Sequence, residues 1–158
     1  MLPPEETLVY QHDSVDIAAS PEAVYALVSD ITRMGEWSPE ASGGQWLDGG
    51  TGKVGDLFEG HNRTPEREWT RECEVAKADE GQDFTFVVGG VAANCTWWSY
   101  EMSPTETGTT LTERWWIVNK TPGMQAATPE QFEARVEMTK GMLATTLNGI
   151  KTAAEAAG

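Results

Sequence analysis

Hydrophobic and polar residues follow two different periodicities along the chain. In residues 7–17 they alternate as in a β-strand, and a helix start follows at once, where Ser20 can cap the helix and Pro21 suits its first turn. We predict a second short helical turn over residues 31–36, because the position before a proline is disfavoured in a helix and Ser38 precedes Pro39. The apolar positions of the first helix recur at helical spacing and predict one buried stripe: Val24, Leu27, Val28 and Ile31.

Between residues 45 and 118 the apolar positions recur with a period of two, in short runs separated by Gly, Pro and Asp. Hairpin-length connections at residues 78–82 and 105–108 favour antiparallel neighbours. Together with the first strand and a short one over residues 45–47, the runs predict about seven strands. These runs cover residues 53–62, 68–76, 83–88, 96–102 and 109–118.

The C-terminal part of the chain has the clearest helix signal. Thr128, Pro129 and Gln131 form a capping box, and the helical pattern continues to about residue 156, a length of roughly 40 Å at about 1.5 Å per residue. The predicted apolar face consists of Phe132, Val136, Leu143, Leu147, Ile150 and Ala154, flanked by Met138 and Met142.

This order of elements predicts an α+β fold: one strand, two short helices, about six further antiparallel strands and a long amphipathic helix. A sheet with one apolar face needs cover, and a long helix laid into the concave side of a curved sheet provides it. At 158 residues the chain fits a single domain, residues 1–158. A sheet curled around a helix rarely closes tightly everywhere, so we expect a cavity between them.

Composition narrows the classes of partner. Eleven basic and 25 acidic residues give a formal charge of −14, which disfavours nucleic acid and anionic membrane surfaces. The N-terminal residues lack a leader pattern, and no run reaches the ~18 apolar residues of a membrane span, so we expect a cytoplasmic protein without membrane insertion. Cys73 and Cys95 have neither the density of a disulfide scaffold nor the spacing of a zinc site, and we predict two free, buried thiols.

Strand parity brings aromatic and polar side chains together on the face toward the long helix. A mostly apolar wall with a few polar groups is typical of a small-molecule pocket, and the alternative is a filled core in which the rings pack on the helix. The candidate ligand-binding residues on the strands are Phe58, Asn62, Trp69, Arg71, Cys73, Phe84, Phe86, Trp98, Tyr100, Glu113 and Trp115. Trp37, Met138 and Met142 complete the set.

Glu113 and Arg71 allow two interpretations. Parity places both inward, so they could form a buried ion pair, since an unpaired buried carboxylate is costly. Alternatively, Glu113 or Tyr100 orients a ligand carbonyl or hydroxyl, or transfers protons in a cyclisation. His61 is predicted to face outward, and no spacing indicates a catalytic triad, a metal site or a cofactor site. The glycine-rich residues 43–55 match no phosphate-binding loop and are predicted to form a flexible lip over the cavity.

Several motifs together point to a known family. They are IAASPEAVY at residues 17–25 with Asp30, EWSP at 36–39, VGDLFEGHNR at 54–63, FTF at 84–86, WSY at 98–100 and GTTLTERW at 108–115. This series resembles the START-like (SRPBCC) superfamily, in the actinobacterial type of polyketide cyclase/dehydrase protein, over nearly the whole chain.

The resemblance implies a helix-grip fold and a hydrophobic ligand, lipid-like or polyketide-like, held between the sheet and the C-terminal helix. It leaves three functions open: a binding or carrier protein, a cyclase or dehydratase using the same cavity, and a toxin-like or regulatory interaction protein. The motifs are structural and do not choose among these functions. The shortage of acid and base groups favours binding, and we expect a monomer or a homodimer.

Overall fold

An antiparallel sheet and one long helix dominate the structure, a computed structural model that describes residues 1–157. Over that range the sheet has seven strands in the order β1-β7-β6-β5-β4-β3-β2. This arrangement confirms the predicted α+β fold. The helical elements are α1 (Pro21–Val28), a 3₁₀ helix (Ile31–Glu36), α2 (Pro122–Ala126) and α3 (Pro129–Ala157). The strands are β1 (Val9–Ile17), β2 (Ala41–Trp46), β3 (Leu57–Arg63), β4 (Glu68–Asp79), β5 (Asp83–Val88), β6 (Thr96–Thr105) and β7 (Gly108–Ile117).

A hydroxyl residue followed by proline begins each of the three α-helices. The Ser20 hydroxyl accepts a backbone N–H in the first turn of α1, and Thr121 does the same for α2. In α3 the capping box is complete, because Thr128 Oγ1 accepts from Gln131 N at 3.1 Å and Gln131 Oε1 accepts from Thr128 N at 2.9 Å. Helix α2 was not predicted, although Thr121-Pro122 carries the same start signal as the other two helices.

The glycine-rich segment is ordered by a single carboxylate. Asp56 accepts the backbone N–H groups of Thr51, Gly52 and Lys53 at 2.8, 3.0 and 2.9 Å. These hydrogen bonds, the one from Thr51 first, hold the pKa of Asp56 below its usual value. Strand β3 therefore begins only at Leu57, after this closed loop. The prediction of a flexible lip is wrong for residues 49–55, because Gly43 alone among the glycines of that segment lines the cavity.

The two halves of α3 pack differently. The C-terminal half contacts β1 and α1 and buries Leu143, Thr146, Leu147, Ile150 and Ala154, and this confirms the predicted burial of Leu147. Between residues 129 and 142 only Thr139 is buried. Since the N-terminal half stands off the sheet, it leaves a space beneath it.

A second apolar cluster, not predicted from the sequence, is built from Val87, Trp97 and Trp116. The two indole rings stack with centroids 5.7 Å apart, and Met1, Ala76 and Val118 pack against the cluster. Three of the seven tryptophans, Trp46, Trp97 and Trp116, thus contribute to packing away from the cavity.

Candidate functional site

A cavity of about 460 Å³ lies between the sheet and the N-terminal half of α3, and residues of α2 and its flanks form part of its wall. Strands β2 to β7 supply the floor and sides. The walls include eleven of the fourteen predicted site residues: Trp37, Asn62, Trp69, Arg71, Cys73, Phe86, Trp98, Tyr100, Glu113, Trp115 and Met142. That these residues contact a ligand remains a prediction.

The other three predicted residues lie elsewhere. Phe58 and Phe84 are fully buried within the main core, where Phe58 meets Phe86 edge-on at 5.1 Å between ring centroids. Met138 is 46% exposed, so its predicted place on the inner wall is wrong. The buried stripe of α3 runs through Thr139 and Leu143, which leaves Met138 at the edge of the stripe on the half of the helix that stands off the sheet.

Glu113 is a buried carboxyl that lies beside the Tyr100 hydroxyl. It lies in the cavity wall on β7, directly opposite Tyr100 on β6, and is 1% exposed. Neither of its oxygens meets hydrogen-bonding geometry with any group in the part of the chain that the structure describes. Burial raises the pKa of Glu113 to about 8, Tyr100 offsets part of the rise and Asp13 on β1 adds to it. At neutral pH Glu113 is therefore mainly a neutral acid that presents a proton to the cavity.

The predicted ion pair between Glu113 and Arg71 does not form. Strand register aligns Glu113 with Tyr100, then with Phe84 on β5 and Ala78 on β4, whereas Arg71 lies toward the opposite end of β4. The guanidinium of Arg71 is exposed and donates to the Thr70 carbonyl at 3.2 Å. Strand parity correctly predicted that Glu113 and Arg71 lie on the same face of the sheet. Their separation along that face depends on the register of three strand pairs, which parity does not give.

Charged residues that the sequence analysis did not select surround the cavity mouth. The Arg135 guanidinium of α3 holds the Glu40 carboxylate with two hydrogen bonds of 2.6 and 2.8 Å. The Arg67 guanidinium lies 4.3 Å from the centre of the Trp69 ring. His61, predicted to face outward, lines the rim and pairs with Glu59 at 2.9 Å.

Helical spacing could have found Arg135, since it follows Phe132 by three positions on the predicted inner face. Arg67 precedes β4 in a turn, where strand parity gives no direction. The two residues therefore differ in what the sequence alone could reveal.

The two thiols differ in exposure. Burial raises the pKa of the Cys73 thiol, which lines the cavity, to about 12. Cys95 is only partly buried, so the prediction of two buried thiols is wrong for this residue.

Within residues 1–157 no three His, Cys, Asp or Glu side chains are arranged to hold a metal ion. Over the same range, none of the helices combines the length and apolar character required to span a membrane.

Comparison with known proteins gives one family and one fold. The family described as polyketide cyclase/dehydrase and lipid transport matches residues 12–155. The chain is 37% identical to the polyketide-cyclase-like protein Cgl2372 from Corynebacterium glutamicum, over 90% of this chain and 88% of that one, with a TM-score of 0.60.

Two di-domain ARO/CYC proteins share the fold at lower identity. StfQ from the steffimycin biosynthetic pathway is 14% identical with a TM-score of 0.71, and covers 96% of this chain and 50% of its own. BexL from the BE-7585A biosynthetic pathway is 18% identical with a TM-score of 0.72, and covers 95% of this chain and 51% of its own. No curated protein sequence matches the chain.

Proposed function

Since the chain belongs to the polyketide cyclase/dehydrase and lipid transport family, we propose that it binds one hydrophobic small molecule, lipid-like or polyketide-like, in the cavity between the sheet and α3. The volume of about 460 Å³ lies within the range of roughly 300–1,000 Å³ that small-molecule sites occupy. Aromatic rings and the thioethers of Met34, Met124 and Met142 form much of the wall, a composition that suits an apolar ligand.

Glu113 is the observation that carries this proposal. A filled core would leave this carboxyl beside the Tyr100 hydroxyl, but its oxygens do not meet hydrogen-bonding geometry there, and an unsatisfied buried carboxyl is costly even as the neutral acid. A ligand carbonyl, or water in its absence, would accept the proton of the neutral acid. The proposed ligand is therefore apolar along most of its length and carries an oxygen acceptor near Glu113.

Titration with a neutral apolar dye tests the binding step. We expect Nile red to bind with about one site per chain and to quench tryptophan fluorescence, because Trp37, Trp69, Trp98 and Trp115 line the cavity. Absence of saturable binding, or saturation that leaves the tryptophan emission unchanged, would count against the cavity as the binding site.

A pair of ligands of similar shape tests the role of Glu113. We expect 2-acetylnaphthalene to bind several-fold more tightly than 2-isopropylnaphthalene, since only the first has a carbonyl. Glu113→Leu should abolish that preference, and Glu113→Gln, which keeps a donor, should retain most of it. If the unaltered protein and both variants preferred 2-acetylnaphthalene to the same extent, Glu113 would not contact the ligand.

A second candidate function is cyclisation of a polyketone in the same cavity. The observation that favours it is a carboxyl whose pKa is raised by burial to about 8 and which faces the cavity opposite Tyr100, since such a group can both give and take a proton near neutral pH. Incubation with a linear aromatic polyketone, followed by mass spectrometry, tests it. If the polyketone loses water with the unaltered protein but not with Glu113→Gln, the protein is an enzyme. If the polyketone stays bound and unchanged, the protein is a carrier.

A further inference from the structure

Two arginines at the cavity mouth lack acidic partners. Arg67 and Arg71 both line the cavity and both are exposed, yet within residues 1–157 neither forms an ion pair. The chain has 25 acidic and only 11 basic residues, so acidic partners are abundant on its surface. Arg67 and Arg71 thus bring two guanidiniums without an acidic partner to one opening.

The acidic groups of the cavity do not neutralise this pair. Glu40 and Glu113 are the two acidic residues that line the cavity in the described range. The Glu40 carboxylate is held by Arg135, and Glu113 is buried on β7, away from Arg71 along the sheet. The neighbouring acids on β4, Glu68 and Glu72, alternate with Trp69 and Arg71 and so point to the other face. The acidic residues that line the cavity therefore leave both guanidiniums available to an anion.

We propose that Arg67 and Arg71 bind an anionic head group, so that the ligand is an amphipathic anion with its apolar body in the cavity. This inference rests on the proposed binding function and adds the class of ligand. A guanidinium presents several N–H groups in a planar fork that matches a carboxylate or a phosphate. Arg67 is already positioned for this role, because its guanidinium stacks on Trp69.

The separation of the polar groups fits one orientation of such a ligand. Arg71 lies near the start of β4 at the mouth, and the register places Glu113 level with the end of β4. The anionic end of the ligand would stay at the mouth, where it keeps partial contact with water, and the apolar body would extend inward so that an oxygen acceptor at its far end lies near Glu113. This orientation avoids burying the charge.

Competition between ligands of equal chain length tests the inference. Dodecanol, dodecanoate and dodecyl phosphate are titrated at pH 7.5 against Nile red bound to the whole chain. We expect one of the two anions to bind about tenfold more tightly than the alcohol at low salt, and the advantage to shrink as salt is raised. Preference for dodecanoate over dodecyl phosphate would assign a carboxylate head group, and the reverse a phosphate.

Variants with equal charge changes complete the test. The single substitutions Arg67→Gln and Arg71→Gln should each reduce the anion's advantage over dodecanol, and the double substitution should reduce it to about onefold. Arg63→Gln is the matched control, because Arg63 is exposed at the end of β3 and does not line the cavity. If the double variant does not fold, the salt titration of the unaltered protein tests the inference. An anion's advantage that does not shrink as salt is raised would contradict it.

Two outcomes separate the inference from the function on which it rests. Equal affinity of the unaltered protein for dodecanol and both anions would overturn the anionic head group and leave apolar binding in place. Failure of every ligand to displace the dye, together with failure of the dye to saturate, would overturn the proposed function itself.

Discussion

At the scale of single residues, Glu113 couples the protonation state of the cavity to the stability of the fold. Its folded pKa of about 8 lies above the ordinary value of 4.5, because burial disfavours the carboxylate. The folded state therefore holds the proton more tightly than the unfolded chain does. The stabilisation is complete below the unfolded pKa and is lost as pH rises from about 4.5 through about 8.

Glu113→Gln should remove this pH dependence. Relative to the variant, the unaltered protein should lose roughly 3–5 kcal/mol of unfolding free energy between pH 4.5 and 9, as a rise of the pKa from 4.5 to about 8 requires. Urea unfolding of both proteins at intervals of half a pH unit measures the difference, in which the other titrating groups cancel. Parallel stability curves would mean that Glu113 is hydrated in solution and that its carboxylate is not desolvated.

The two cysteines should react at very different rates. At pH 8 we expect one equivalent of a thiol reagent to modify the folded protein quickly, because Cys95 is partly exposed whereas burial holds the pKa of Cys73 near 12. Cys95→Ser should abolish the fast reaction, and Cys73→Ser should leave it unchanged. Two equivalents at equal rates would show that the cavity opens widely on the timescale of labelling.

The alternation of residues along the strands predicted which side chains face the cavity but not which side chains they contact. Alternation along β6 and β7 was enough to place Tyr100 and Glu113 inward. Whether Glu113 meets Arg71 depends on register across three strand pairs, which the sequence of either strand does not encode. Arg67 and Glu40 lie outside regular elements, where periodicity has no meaning.

At the scale of elements, the lack of a side chain at Gly149 lets α3 approach Trp37 closely. A Cβ at Gly149 would lie 2.5 Å from Trp37 Cβ and 2.9 Å from Trp37 Cα, so the helix and the end of the 3₁₀ helix touch there. In an exposed helix, Gly→Ala stabilises by up to about 1 kcal/mol. At Gly149 the same change should instead destabilise by about 1–3 kcal/mol, as overpacking does.

Gly141 in the same helix provides the control. A Cβ there has no atom within 4 Å, so Gly141→Ala should stabilise the protein by a few tenths to about 1 kcal/mol. Thermal and urea unfolding of the two variants should therefore shift in opposite directions. A stabilising effect at both positions would show that α3 does not pack against Trp37 in solution.

Element boundaries were predictable where local chemistry defines them. The capping box gave the start of α3, and Ser20-Pro21 gave the start of α1. Helix α2 was missed because its five residues are too few to show a helical period, although its Thr-Pro start was visible in the sequence. The delayed start of β3 depends on three backbone hydrogen bonds to Asp56, a loop geometry without a periodic signal.

At the scale of the whole molecule, the order of elements predicted a helix against a curved sheet but not where the two would separate. The separation follows from the composition of α3. Its C-terminal half has Leu147, Ile150 and Ala154 in contact with the core, and its N-terminal half has few apolar side chains that reach the sheet. The Glu40–Arg135 ion pair and α2 then close the edge of the space.

A bulky side chain placed in this space distinguishes a cavity from a filled core. Met142 lines the cavity from α3, so Met142→Trp should abolish Nile red binding while changing the unfolding free energy by less than about 1 kcal/mol. Met138→Trp is the matched control, since Met138 lies one turn away on the same face of α3 but is 46% exposed and does not line the cavity, so its substitution should leave both binding and stability unchanged. A loss of about 1–3 kcal/mol for Met142→Trp, in a protein that never bound the dye, would instead indicate a closed core and contradict ligand binding.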